Sequence, residues 1–303
     1  MPPTNPATGS TPHSPGLIGR EPEQAMLRQA LQRLLDGEGG LVLIDGEAGI
    51  GKTTLLRWLA REAEAAGALV LWGHAYDNSV MPPYGLWTSV ARAYQATGLA
   101  PDLPSFLDDH ESLAALGSQQ RLLDEIARFF QEVAAVRPLL VLLEDVHWAD
   151  QASLDLLRHF ARRAAGPRPL LVASYRREEM PRGHPLYQLV PLLVREAEAE
   201  RIHVPPLSQP DLRALIERRY ELAATDLTRL ERYLEERAEG NPLYAGELLR
   251  TLEEERLLCP AEGGWALGDL TLDGVPPLLR QVIAGRVGRL GEGARPLLAV
   301  AAT

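Results

Sequence analysis

Apolar side chains recur along this chain in two alternating rhythms: short runs of the length of one strand, and longer stretches in which apolar positions return every three to four residues. Leu41-Val42-Leu43-Ile44 is the first run, and Leu69 to Trp72, Leu139 to Leu143, Leu170 to Ser174 and Arg201 to Val204 follow it. The first helical stripe is Glu21 to Leu35, with apolar positions at Ala25, Met26, Leu27, Ala30, Leu31, Leu34 and Leu35. Asp36-Gly37 and then Gly39-Gly40 end it. Thr53 to Ala65, Tyr84 to Tyr94, Gln119 to Val136 and Ser153 to Ala164 read as further helices. Runs that are apolar throughout belong to strands covered on both faces, and a helix between two strands returns the chain to the same end of a sheet. The pattern therefore predicts a doubly wound α/β domain built on a parallel sheet.

That domain is expected to span residues 17–206, after a tail at 1–16 that is rich in Pro, Ser and Thr and has no apolar period. Beyond Pro205-Pro206 the strand-like runs stop. Helical stripes continue through Asp211 to Tyr220, Leu227 to Ala238 and Leu243 to Leu258, which predicts a small helical domain over 207–258. A last amphipathic stretch begins at Val275, and the chain ends in Leu297-Leu298-Ala299-Val300-Ala301-Ala302-Thr303 with no stop signal. Residues 259–303 are thus expected to begin a further helical or winged-helix domain that continues past Thr303.

Composition narrows the class. The chain has 303 residues, 46% hydrophobic and 24% charged, which is globular composition. Its single cysteine, Cys259, cannot form an internal disulfide, as suits a reducing cytoplasm. No apolar run approaches the roughly 20 residues of a membrane helix, and no export signal opens the chain. A formal charge of −10 disfavours a nucleic-acid footprint spread over the surface. One count is sharper: of 31 basic side chains, the only lysine is Lys52. A compact ammonium on a flexible stem reaches between phosphates in a way that a planar guanidinium does not.

Lys52 lies in Gly46-Glu47-Ala48-Gly49-Ile50-Gly51-Lys52-Thr53, which fits the phosphate-loop spacing and stands between an apolar strand and a helix, where its mechanism needs it. The glycines let backbone N–H groups curl around a phosphate, and the first turn of the helix, with Thr53 and Thr54, presents its positive end. Lys52 is expected to reach the β and γ phosphates, and Thr53 to ligate Mg²⁺. Downstream, Leu139 to Leu143 ends in Glu144-Asp145. A strand ending in carboxylates beside such a loop holds Mg²⁺ and orients an attacking water, so Glu144 and Asp145 are candidate catalytic and metal residues. Arg176 follows the strand Leu170 to Ser174 and emerges at the carboxyl edge of the sheet, where ligands of open α/β sheets bind. It reads equally as a γ-phosphate sensor and as a solvated member of the run Arg176-Arg177-Glu178-Glu179. Asp150 reads as the N-cap of the helix that follows it, and His147 as a packed residue. Gly240-Asn241-Pro242 reads as a helix end, a cap and a first turn.

These motifs, together with Leu17-Ile18-Gly19-Arg20-Glu21-Pro22-Glu23, Glu144-Asp145-Val146-His147-Trp148-Ala149-Asp150 and Ser174-Tyr175-Arg176, resemble in type and order the ATPase module of STAND-type signal-transduction proteins. The chain looks most like the bacterial large ATP-binding regulators of the LuxR type, relatives of the MalT-like activators. The resemblance implies that Ile18, Gly19 and Arg20 lie against adenine, that Gly46 to Thr54 hold the phosphates of ATP or ADP with Mg²⁺, that Arg176 reads the γ-phosphate, and that Pro242 brings the helical domain onto the nucleotide. It implies a slowly hydrolysing switch, closed with ADP and open and self-associating with ATP, that answers an inducer ligand or protein. DNA would be met only through a C-terminal domain beyond this chain. Many relatives carry Asp-Asp where this chain has Glu144-Asp145, which leaves the split of roles between the two carboxylates open.

Other classes remain. A GTPase would need a second lysine in its guanine-reading Asn-Lys-x-Asp, and a transport ATPase a Leu-Ser-Gly-Gly-Gln-like stretch before Glu144; the sequence has neither. A small-molecule kinase shares the loop, and an ADP-locked scaffold would keep it without turnover.

Overall fold

A computed structural model describes residues 17–76, 82–104, 119–162 and 168–270. The described residues fall into two compact units divided between Val204 and Pro205. In the first, helix α1 (Glu21–Leu35) precedes strand β1 (Gly40–Asp45), and α2 (Lys52–Ala65), β2 (Leu69–His74), α3 (Gly85–Gln95), α4 (Gln119–Val136), β3 (Leu139–Glu144), α5 (Gln151–Arg162), β4 (Leu170–Tyr175), α6 (Pro185–Ala197) and β5 (Glu200–His203) follow. All five strands are parallel, in the order β2-β3-β4-β1-β5. The doubly wound α/β expectation holds.

Alternation along each strand explains the two layers. Successive side chains of a strand point to opposite faces. Val42, Ile44, Leu140, Leu142, Leu170 and Val172 pack on one face with Leu27 and Leu31 of α1 and Leu55, Leu56 and Leu59 of α2. Their neighbours Leu41, Leu43, Val141, Leu143, Leu171 and Ala173 pack on the other, with Trp87 of α3, Phe130 of α4, Leu157 of α5 and Leu193 of α6. Both faces are dry, which is why the strands read as unbroken apolar runs.

Two elements differ from the sequence expectation. Helix α6 was not predicted, because Pro185 and Pro191 interrupt its apolar period. Pro185 is accommodated in the first turn, His184 caps the helix by accepting the Leu186 N–H at 3.1 Å, and Leu186, Leu189 and Leu193 still reach the core. In the second unit, α7 (Gln209–Arg219), α8 (Ala224–Ala238) and α9 (Pro242–Glu254) form as expected, but the last helix stops short of Leu258. There β6 (Leu258–Ala261) and β7 (Gly264–Leu267) pair antiparallel. Leu258 and Leu267 join Leu212, Leu230, Leu234 and Leu248 in that unit's own core, so the hairpin completes the three helices. The predicted helix end at Ala164, the tail at 1–16 and the stretch from Val275 lie outside the described residues. No helix among the described residues is long and apolar enough to cross a membrane.

Asp150 has a larger structural role than one cap. Its carboxylate accepts the Ser153 N–H at 2.9 Å and the Ser153 hydroxyl at 2.5 Å at the start of α5, and also the Tyr84 and Gly85 N–H groups at 2.9 and 3.2 Å at the start of α3. One side chain thus satisfies orphan donors of two helices. Replacing it with alanine should lower stability by about 2 kcal/mol, the loss of two caps at ~1 kcal/mol each. The midpoint of urea unfolding measures this.

Candidate functional site

The turn from β1 into α2 is shaped by backbone demands before any ligand enters. Gly46 is buried where a Cβ would meet the Val204 carbonyl at 2.9 Å and the Ile50 Cγ2 at 3.0 Å. Gly51 caps α2 at a φ of 106°, a conformation that L side chains rarely adopt. Lys52, first in α2, is only 7% exposed, and its Nζ donates to the carbonyls of Gly46 at 2.6 Å and Glu47 at 2.8 Å. Burial holds its pKa below the usual lysine value, with the Arg176 guanidinium a second depressing influence; Glu178, Asp145 and Glu179 pull the other way. The side chain of Ile50 is 1% exposed and packed in the core, so that residue offers the site its main chain alone. Thr53 is half-buried and Thr54 exposed on the first turn of α2.

Arg20 comes to this loop from the segment before α1. It is 5% exposed, and its guanidinium donates to the Ile50 carbonyl at 2.9 Å and the Gly19 carbonyl at 3.1 Å. It therefore ties Gly19 and the half-buried Ile18 to the phosphate loop. Pro242 stands at the first turn of α9 in the second unit, behind Asn241, whose side chain accepts the Leu243 N–H at 3.1 Å.

Strand order brings the acidic residues in. β4 lies between β1 and β3, and parallel neighbours about 4.8 Å apart present their carboxyl ends on one edge. The two carboxylates after β3 are steered apart. Glu144 pairs with His74 Nδ1 at 3.0 Å, since β2 places His74 opposite it. Asp145 turns at a φ of 53°, donates its N–H to Ser174 Oγ at 3.2 Å, and faces Arg176 Nη2 at 3.5 Å. Burial raises the Asp145 carboxyl above the ordinary carboxylate range, against the pull of Arg176 and Lys52. Arg176 also donates to Glu179 at 2.8 Å and lies 4.8 Å over the Trp148 ring. Lys52, Asp145 and Arg176 therefore converge, whereas Glu144 is engaged with β2.

Sequence reasoning missed His74, Ser174, Glu178 and Glu179. Glu178 Oε1 accepts the Ala48 N–H of the phosphate loop at 2.9 Å. A carboxylate oxygen occupies a loop amide, so the loop takes an anionic oxygen and fits the phosphate expected there. Also unforeseen is buried Asp45, which bonds His203 Nδ1 at 2.8 Å and Arg201 at 3.3 Å. Among the described residues, no group of three or more His, Cys, Asp or Glu side chains forms a metal site on its own. A magnesium ion held by one or two carboxylates together with a nucleotide's phosphates requires no such cluster. Thr53, Glu144 and Asp145 are the candidates to hold it.

Residues 16–173 match the family model of the AAA ATPase domain. The chain belongs to that family. The fold is also that of solved P-loop ATPases. The ORC2 protein of Aeropyrum pernix, determined as ADPNP–ADP complexes, superposes with a TM-score of 0.52 at 21% identity, over 90% of this chain and 69% of that one. The ORC1 protein of the same organism, in complex with DNA, gives 0.54 at 20% identity over 94% and 72%. The Walker-type ATPase of Pyrococcus abyssi gives 0.53 at 16% identity over 79% and 73%. An uncharacterized protein of Rhizobium meliloti (strain 1021) is 29% identical over 191 residues, which is 53% of this chain. The chain spans 18% of that relative's length.

His147 is 2% exposed; its Nε2 lies 3.2 Å from Glu179 and its Nδ1 has no hydrogen-bond partner. Burial pushes its pKa down to about 4. The unfolded chain takes up this proton near pH 6.5 and the folded chain does not. This contribution to stability is therefore complete above pH 6.5 and lost as pH falls toward 4, by up to roughly 3 kcal/mol. His147→Gln should flatten the pH dependence of unfolding across that window relative to the parent, as read by urea titrations at pH 7 and pH 4.5.

Proposed function

We propose that this AAA ATPase domain is a regulatory switch that binds ATP with Mg²⁺ through Gly46 to Thr54, hydrolyses it slowly, and signals which nucleotide it holds. One observation carries the reading: a buried lysine ammonium, a loop amide already holding an anionic oxygen, a strand-end carboxylate and an arginine all meet at one sheet edge. Lys52 and the loop amides hold the phosphates. Asp145 is the carboxylate placed to act on the metal or the attacking water, and Arg176 is placed to read the γ-phosphate. Glu144 takes the supporting role, because His74 already engages it. Ile18, Gly19 and Arg20 lie on the adenine side, with Arg20 acting through its hold on the loop.

The switch itself rests on the resemblance to STAND-type regulators of the LuxR and MalT kind. ADP keeps the helical unit closed on the nucleotide through Pro242, and ATP lets it open and self-associate. Such an equilibrium moves only through contacts that differ between the two states, and the γ-phosphate is the one group that differs. An inducer ligand or protein biases the exchange, and transcriptional output belongs to a DNA-binding domain beyond this chain. A full chain that transfers the γ-phosphate to a metabolite rather than to water would replace the switch with a kinase.

Lys52→Ala should weaken ATP binding at least a hundredfold relative to the parent in a calorimetric titration, and binding within tenfold of the parent would overturn the nucleotide assignment. Asp145→Asn should keep ATP binding within a few-fold of the parent and lower phosphate release at least tenfold. Equal release from both proteins would remove Asp145 from the chemistry.

A further inference from the structure

We propose that Glu178 is an internal competitor for the phosphate site: its carboxylate stands in for a phosphoryl oxygen on the loop and has to leave before a nucleotide enters. The proposal deepens the function above and rests on the reading that this loop binds nucleotide. Three observations carry it. First, the Ala48 N–H donates to Glu178 Oε1 at 2.9 Å, although 130 residues separate the two. Ala48 lies within the phosphate loop, whose main-chain amides are the groups that cradle phosphate oxygens. Glu178 is exposed, so its place on this amide is taken in competition with water.

Second, the site is already paired from within. The Lys52 ammonium is spent on the Gly46 and Glu47 carbonyls. Arg176 is spent on Glu179 and Asp145. The negative charge of Glu178 adds to this balance by favouring the charged form of Lys52 against burial. Third, Glu178 is the middle residue of the short 3-10 turn Arg177–Glu179 that follows β4, with Arg176 at its cap and Glu179 at its end. A phosphate that expels Glu178 from Ala48 therefore breaks a contact between the loop and the turn that begins at Arg176.

The consequence is measurable as affinity. When a site is open for only a fraction of the time, the apparent dissociation constant rises by the inverse of that fraction. A carboxylate seated nine-tenths of the time weakens phosphate binding about tenfold. The test uses the full chain as parent, Glu178→Ala and Glu178→Gln, titrated calorimetrically with ADP, with pyrophosphate and with adenosine. Glu178→Ala is expected to bind ADP and pyrophosphate about tenfold more tightly than the parent, with adenosine unchanged, and Glu178→Gln to fall between them because its neutral oxygen competes less.

Unchanged or weaker binding of ADP and pyrophosphate by Glu178→Ala overturns the proposal. So does an equal gain for adenosine, since the effect then lies away from the phosphates. The side chain is exposed, so its removal leaves no cavity. If the alanine variant nonetheless unfolds at a lower urea midpoint, the same comparison on the nearly isosteric Glu178→Gln decides. A parent that binds ADP and pyrophosphate no differently from its variants keeps the nucleotide function and loses only the competitor. Parent and variants that bind neither compound lose both.

Discussion

The burial of one ammonium group constrains everything at the carboxyl edge of the sheet. A charge removed from water must be paired and hydrogen-bonded, or it neutralises. Lys52 answers this with two carbonyls of its own loop and with the field of Asp145, Glu178 and Glu179. Those partners come from three places in the chain: the turn after β1, the end of β3 and the turn after β4. The lysine therefore couples the conformation of the loop to the two strand ends beside it, and an anion that binds the ammonium changes what all three hold.

The order of strands makes that coupling possible. With β4 inserted between β1 and β3, Tyr175 stands opposite Asp45 and Ala173 opposite Leu143. Gly46, Asp145 and Arg176, which lie just beyond these positions, are then brought to one edge of the sheet whatever their separation in sequence. Ser174 fixes the join by accepting the Asp145 N–H. Asp145 adopts a left-handed backbone at this point, with a φ of 53°. A non-glycine residue in that region carries a modest conformational cost that the surrounding packing must hold in place. On the far side of β1, buried Asp45 is tied to Arg201 and His203 of β5, so the strand that leads into the loop is anchored along its other edge too.

What the sequence made legible followed from local rules. The loop spacing, the apolar strands with their acidic end and the helical stripes each depend on residues within one element. What it hid depended on pairing across elements. His74 carries no such local signal, because the apolar run of β2 ends at Trp72. Gly73 and His74 continue the ladder only because Leu143 and Glu144 lie beside them. Glu178 read as part of a solvated charge run, and nothing within Arg176-Arg177-Glu178-Glu179 signals that one of its carboxylates meets an amide 130 residues upstream. The hairpin after α9 leaves no strand signature in the sequence, because each strand is four residues long and one contains Pro260. Its stability comes from Leu258 and Leu267 entering a helical core, not from a strand pattern of its own.

Charge balance limits how the site can be filled. Two cations, Lys52 and Arg176, face Asp145, Glu178 and Glu179, with Glu144 close enough to Asp145 to raise its pKa, while burial keeps His147 neutral at pH 7. Among these six groups the carboxylates outnumber the cations, while the Arg20 guanidinium is held apart from them on the Ile50 and Gly19 carbonyls. A nucleotide's phosphates add further negative charge at short range, where a low effective dielectric makes like-charge repulsion expensive. Balance returns only if a carboxylate departs or a cation enters with the phosphates. The carboxylate free to depart is the exposed one, Glu178. Asp145 and Glu179 are held by Arg176, and Glu144 by His74. These are the positions at which a divalent ion's compensation would be felt most strongly, so the same electrostatics that let an internal anion sit on the loop also favour a nucleotide that arrives with its metal.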